Sequence, residues 1–459
     1  MGLLFVVFPA VVAAESRGAE TALDRYVARA DPAYRWELAQ TVPGPGFTTY
    51  VIDMVSQNWR TTDEVDRTEW RHWLVVVKPD EVRFRTGMLF IGGGRNGRPA
   101  PERPDDKVVA LAARTGSVVA ELRMVPNQPL VFGGDGVARF EDDLIAYAWD
   151  KYLTTGDETW VPRLPMVKSA VRAMDTIQAF LGGSDGGGVK IDQFVVAGGS
   201  KRGWTTWLTG AVDRRVTAIV PIVIDVLNVR PSMHHHFAAY GFWAPAIGDY
   251  VHHKIPERFD TPEFDALMRV ADPYAYRDRL TMPKYVVNAS GDQFFLPDSW
   301  QFYFGDLLGE KHLRYVPNAD HSLGDSNALE GILAFYRAIL TGAPRPEFEW
   351  SAEPGGALRV KTRDRPKAAL LWQATSPDAR DFRVESIGRA YRQSSLTERG
   401  PGEYIALVEK PERGWTAFFV ELVFEGPGPE PFRFSTGVQV VPDVLPFVDR
   451  APQPAGISQ

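Results

Sequence analysis

Three residues of this chain have the types and surroundings that acyl-transfer chemistry requires. Ser200 ends the run Val195-Val196-Ala197-Gly198-Gly199-Ser200 and is followed by Lys201-Arg202-Gly203-Trp204. An apolar strand therefore meets a tight glycine turn and then a helix start, the arrangement that exposes a serine nucleophile at the C-terminal edge of a sheet. Asp292 stands just beyond another strand-like run, in Ser290-Gly291-Asp292-Gln293. His321 follows a third, in Tyr315-Val316-Pro317-Asn318-Ala319-Asp320-His321. Serine, carboxylate and imidazole in that chain order form the triad of an α/β-hydrolase, in which the imidazole takes the serine proton and the carboxylate orients the imidazole.

Each residue also has a plainer use. Glycine and serine together often mark an ordinary turn, Asp292 could cap a helix near Ser299, and His321 could be a surface loop residue. The glycine spacing also departs from G-x-S-x-G, because Arg202 stands where the second glycine belongs and the small residue is displaced to Gly203. Asp225 follows a strand as well and is the alternative acid.

A tetrahedral oxyanion needs donors. The backbone N–H of Lys201, next to the nucleophile, is one. The others are sought in Ile91-Gly92-Gly93-Gly94-Arg95, where Gly93 and Gly94 are the candidates. A flexible turn or a phosphate cradle is the alternative use of that loop, but no P-loop lysine and serine follow it. His234-His235-His236 and His252-His253 raise the question of a metal. Adjacent histidines on a helix point in different directions and no H-E-x-x-H accompanies them, so no metal and no cofactor is expected.

These side chains must be carried by a scaffold, and residues 47–343 alternate strand-like with helix-like segments. That pattern predicts an α/β fold with a mostly parallel central sheet covered on both faces. Strands are expected at 48–54, 72–77, 87–91, 117–122, 191–197, 216–224, 285–289 and 313–316. Pro221 makes the sixth of these awkward and implies a bulge or an early end. Helices are expected at 108–114, within 144–180, and at 204–212, 300–308 and 328–340. The stretch 226–283 lacks a strand signal and is rich in aromatics and histidines, which suits a helical lid inserted over the site. After a proline- and glycine-rich linker at 341–346 the segments shorten and alternate every second residue, at 358–362, 368–372, 404–408 and 416–424. This predicts a small antiparallel C-terminal β-sandwich over 347–442, with a flexible tail at 443–459.

Composition bounds the rest. A chain of 459 residues has room for an enlarged hydrolase domain at 20–343 and a second domain. Its net charge of -7 comes without a basic run, which argues against nucleic acid as a partner. There is no cysteine, so disulfides, thiolate metal sites and a cysteine nucleophile are excluded together. Residues 1–16 read as a signal peptide that lacks the usual basic start, pointing to a periplasmic or secreted protein. No other stretch is long and apolar enough to span a membrane.

The segment Gly199-Ser200-Lys201-Arg202-Gly203-Trp204-Thr205-Thr206-Trp207, with Ile224-Asp225-Val226-Leu227-Asn228 and Ile91-Gly92-Gly93-Gly94, resembles the PhoPQ-activated pathogenicity-related proteins of bacteria. The resemblance covers residues 20–440 and makes Arg202 a family feature. It implies an exported α/β-hydrolase-like protein with an immunoglobulin-like C-terminal portion, and it supplies no substrate. The family is similar in outline to secreted eukaryotic autocrine proliferation repressors, which brings in a binding or signalling role. The expectation is a serine hydrolase acting on an ester or amide of a small molecule or peptide. The alternatives are an exported serine peptidase and a non-catalytic scaffold that meets a protein partner through its C-terminal part.

Overall fold

Phe194 to Ala197 are all buried, and their side chains divide between two apolar clusters. Phe194 and Val196 pack with Ala170, Met174 and Trp207 on one face of the sheet, while Val195 and Ala197 pack with Leu111, Ile332 and Phe335 on the other. A strand covered on both sides must be apolar at every position, which is why this segment does not alternate. Each fully buried valine contributes about 1.5–3 kcal/mol of transfer free energy. The computed structural model describes residues 20–353 and 356–449; the expected signal peptide lies outside them.

The strands of the first part are β1 (Arg35–Gly44), β2 (Phe47–Asn58), β3 (Glu69–Pro79), β4 (Thr86–Ile91), β5 (Val119–Leu122), β6 (Gln193–Gly199), β7 (Val216–Ile222), β8 (Lys284–Ala289) and β9 (Lys311–Val316). Those of the second part are β10 (Phe348–Ala352), β11 (Leu358–Thr362), β12 (Ala368–Ser376), β13 (Arg392–Ser395), β14 (Glu403–Ala406), β15 (Trp415–Phe424), β16 (Phe432–Ser435) and β17 (Gln439–Val441). The main sheet runs β1-β2-β3-β5-β4-β6-β7-β8-β9-β16-β15-β12-β13, with β17 paired to β15. Its neighbours from β5 through β4, β6, β7 and β8 to β9 are parallel, and every other pairing in it is antiparallel. The expectation of a mostly parallel sheet is therefore corrected to a mixed one with a parallel centre. Helices Asp106–Thr115, Glu141–Thr155, Arg163–Gly182 and Lys201–Val212 make the crossovers that parallel neighbours require.

A free-standing C-terminal sandwich is also corrected. β16 pairs with β9 through Ser435 and Leu313, so the late strands continue the same sheet. Arg314 on β9 and Glu421 on β15 form a fully buried ion pair at 2.8 Å across that join. The small sheet β10-β11-β14 buries Leu358, Val360 and Tyr404 in the cluster that also holds Phe418, Val420 and the helix Ala328–Thr341. One core serves both parts. The expected tail starts later than residue 443, since the Phe447 N–H donates to Ala238 C=O at 2.9 Å.

One element-level expectation also differs, and the early strand end expected at Pro221 is found. Residues 300–308 form only two short 3-10 turns, Ser299–Phe302 and Phe304–Asp306, because the Trp300 indole is drawn to Val438 C=O at 2.9 Å and packs against Gly437. Pro221 is accommodated one residue before the end of β7, so that strand closes at Ile222. Between β7 and β8 the described chain has helices and no strand, among them Val229–Tyr240 and Pro262–Ala271.

Candidate active site

The C-terminal ends of parallel strands lie along one rim of the sheet, and the three expected residues leave from it. Ser200 follows β6, Asp292 follows β8 and His321 follows β9, with β7 between the first two. Ser200 adopts φ 56° and ψ -127°, a conformation that non-glycine residues rarely occupy and that costs about 1–3 kcal/mol. The turn is held from both sides: the Ser200 N–H donates to Ile222 C=O at 2.8 Å, and Ser200 C=O accepts from Trp204 N–H at 3.0 Å. Its glycines are needed for space. A Cβ on Gly203 would stand 2.9 Å from the carbonyl oxygens of both Gly198 and Ile222, and one on Gly198 would stand 2.7 Å from Arg202 C=O.

Asp292 and His321 are joined. The exits of β8 and β9 are laced by Ser290 N–H to Val316 C=O and Gly291 N–H to Ala319 C=O, both at 3.0 Å. Across them Asp292 Oδ2 meets His321 Nδ1 at 2.8 Å, while Oδ1 accepts Phe294 N–H at 2.8 Å. A carboxylate at Nδ1 keeps the proton on that nitrogen and leaves a lone pair on Nε2. Nε2 is buried and has no hydrogen-bond partner among the described residues. The imidazole packs against the Phe294 ring with centroids 4.3 Å apart. Phe294 in turn lines the cavity that contains Ser200. Asp292 and His321 are thus joined by a hydrogen bond, and Phe294, packed on the imidazole, lines the Ser200 cavity; no hydrogen bond joins Ser200 to His321.

That cavity has a volume of about 60 Å³ and lies beneath the segment between β7 and β8. Trp149, Trp204, Val226, Met233 and Phe259 give it apolar walls, and its polar groups are Ser200, Lys201, Asp142, Arg163 and Tyr250. Lys201 Nζ pairs with Glu141 at 2.8 Å and with Asp142 at 3.1 Å. Nothing in the spacing of the sequence pointed to Asp142 or Arg163, which come from helices distant in the chain.

Arg202, the residue that interrupts the glycine spacing, binds Glu141 with both Nη atoms at 2.8 and 2.7 Å and donates from Nε to Val125 C=O. Burial would raise the Glu141 carboxyl; Arg202 and Lys201 overcome this and hold it at about 2. The guanidinium lies on Gly93, where a Cβ would stand 2.7 Å from Nη2. A side chain at Gly93 would therefore meet Arg202. Gly93 and Gly94 line a neighbouring groove with Arg95 and Met124, and neither lines the Ser200 cavity, whereas Lys201 does.

Asp225 is not positioned as the acid. Tyr303 donates its hydroxyl to Oδ1 at 2.8 Å and Tyr315 donates to Oδ2, so both oxygens are engaged away from His321. Burial pushes its carboxyl up to about 8. Four of the five histidines of the insertion are individually tied: His234 to Asp260, His235 to Asp298, His253 to Asp143, and His236 as acceptor from Ala244 N–H, while the His252 ring lies edge-on to His253. Among the described residues no cluster of three His, Asp or Glu side chains is arranged to hold a metal. Among them, too, no helix is long and apolar enough to cross a membrane.

The family described as PhoPQ-activated pathogenicity-related protein matches residues 23–383. Autocrine proliferation repressor protein A of Dictyostelium discoideum is 38% identical over 463 residues, spanning 93% of this chain and 92% of its own. Among solved structures, acetyl xylan esterase from Paenibacillus sp. R4 is similar with a TM-score of 0.46 and 14% identity, over 65% of this chain and 86% of its own. Acetyl xylan esterase 1 from a Thermoanaerobacterium species has a TM-score of 0.46 and 14% identity, over 69% of this chain and 93% of its own.

Proposed function

The chain belongs to the PhoPQ-activated pathogenicity-related protein family, and from that premise we propose that it is a serine hydrolase of carboxylic esters or amides. The observation that carries this reading is the Asp292–His321 hydrogen bond, made on the same sheet rim as the strained turn of Ser200.

In the proposed reaction His321 Nε2 accepts the Ser200 hydroxyl proton as Oγ bonds to the substrate carbonyl carbon. Asp292 holds the imidazole in the required tautomer and stabilises its charged form. The oxyanion of the tetrahedral intermediate takes a hydrogen bond from the Lys201 N–H, at the positive end of the helix Lys201–Val212. Gly93 and Gly94 are the candidates for the second donor, since their N–H groups bond to no described residue. The intermediate then expels the alcohol or amine, which receives the proton from His321. Water attacks the acyl-enzyme with His321 as base, releasing the acid and restoring Ser200. The apolar run at the start of the sequence supports placing this activity outside the cytoplasm.

A fluorophosphonate probe tests the proposal. Wild type is expected to label at Ser200, and Ser200→Ala and His321→Ala to abolish labelling while retaining the native circular dichroism spectrum. A wild-type protein that folds but never labels overturns it.

The name carried by the 38% identical relative favours a second reading, a secreted signalling protein on a hydrolase scaffold. On that reading a cell-growth response to added protein survives Ser200→Ala, whereas a response that requires hydrolysis is lost with it.

A further inference from the structure

Arg163 opens the helix Arg163–Gly182 and is 1% exposed, yet it forms no salt bridge with any described carboxylate. Its Nη1 donates to Lys201 C=O at 3.0 Å and touches Met166 Sδ at 3.6 Å. Nε is buried without an acceptor. The guanidinium lies over the Trp204 ring, 4.6 Å from its centroid, and lines the cavity with Ser200.

The neighbouring acids are already committed. Asp142 accepts from the Tyr250 hydroxyl and from Lys201 Nζ, each at 3.1 Å, and Glu141 is held by Arg202 and Lys201. The charged groups that line the cavity are thus Arg163, Lys201 and Asp142, one cation in excess within apolar walls. Burial lowers the Arg163 guanidinium only to about 10, so it remains charged at neutral pH. Asp142 and Glu141 act on this cation only from a distance, and a buried guanidinium without a carboxylate in direct contact is costly, while its planar fork of donors matches one. Exclusion of water by the surrounding rings would strengthen that pairing.

We propose that Arg163 anchors a free carboxylate on the substrate, which makes the substrate class an ester with an anionic arm, such as a monoester of a dicarboxylic acid. This rests on the hydrolase reading of Ser200. The carbonyl contact ties the guanidinium to Lys201, the residue next to Ser200, and Arg163 and Ser200 line one cavity together with apolar side chains.

The test pairs two nitrophenyl esters of matched length, the hydrogen glutarate and the pentanoate. Wild type is expected to favour the anionic ester in kcat/KM, and Arg163→Met to cut that preference by about ten-fold or more, chiefly through KM. Arg163→Lys, which keeps a cation should the methionine variant fold poorly, is expected to retain part of the preference. Equal losses on both esters would reduce Arg163 to a structural role and overturn the proposal. A second measurement separates this from failure of the hydrolase reading: glutarate binding to Ser200→Ala protein, read by calorimetry. Binding weakened about ten-fold or more by adding Arg163→Met supports the anchor even where no ester is turned over. Absence of glutarate binding, or binding indifferent to residue 163, overturns it.

Discussion

Arg202 grips Glu141 through both Nη atoms while its Nε reaches Val125 C=O, so the residue that breaks the glycine spacing of the Ser200 turn is the one that fastens the turn to its neighbours. Arg202→Ala leaves Glu141 with Lys201 and the Gln128 amide. Since the Glu141 side chain is 41% exposed, solvent screens part of the loss, and a destabilisation of about 1–2 kcal/mol is expected from urea midpoints. Arg202→Lys should recover little, because an ammonium cannot supply two parallel donors.

The same pair sets an acid limit. Glu141 is depressed from 4.5 to about 2, so its contribution to stability is complete above pH 4.5 and disappears as pH falls towards 2. The stability gap between wild type and Glu141→Gln should close over that window in acid titrations followed by tryptophan fluorescence.

Asp292→Asn and Asp225→Asn should separate the two acids. The first keeps an acceptor for Phe294 N–H but turns an amide towards His321 Nδ1, and labelling by a fluorophosphonate should slow by about a thousand-fold or more. The second leaves labelling within a few-fold of wild type.

Asp225 also carries a pH signature of the opposite sign. Its carboxyl is raised from 3.8 to about 8, so the folded state binds a proton that the unfolded state has released between those values. Stability from this group is therefore greatest below pH 3.8 and falls as pH rises to about 8. The stability of wild type relative to Asp225→Asn should decline across pH 4 to 8 in urea titrations, and a difference independent of pH would refute the assignment.

Glycines 199 and 203 should respond differently to alanine. A Cβ at 203 meets two carbonyl oxygens at 2.9 Å, and a loss of about 1–3 kcal/mol with slower labelling is expected. A Cβ at 199 meets nothing within 4 Å, so Gly199→Ala should melt close to wild type.

The Ser200 turn was legible because everything that makes it is local. Four apolar residues, two glycines and a serine state a strand, its end and a helix start without reference to the remaining chain. The order Ser200, Asp292, His321 was legible for a related reason, since each follows an apolar run and parallel strands bring their C-terminal ends to one rim. β1 escaped notice because its side chains are mostly exposed or half-exposed and carry no apolar alternation.

What the sequence alone determined was the set of chemical groups and the strands that end beside them, because strand and turn formation depend on residues close together in the chain. The tertiary structure decided the partners. The joining of β16 to β9 is a matter of backbone hydrogen bonding and one buried ion pair, and backbone groups are alike in every residue. The pairing of His321 with Asp292 and not Asp225, and the absence of a salt bridge to Arg163 among the described residues, depend on which side chains burial leaves within reach of one another. That is a property of three-dimensional packing that no local spacing encodes.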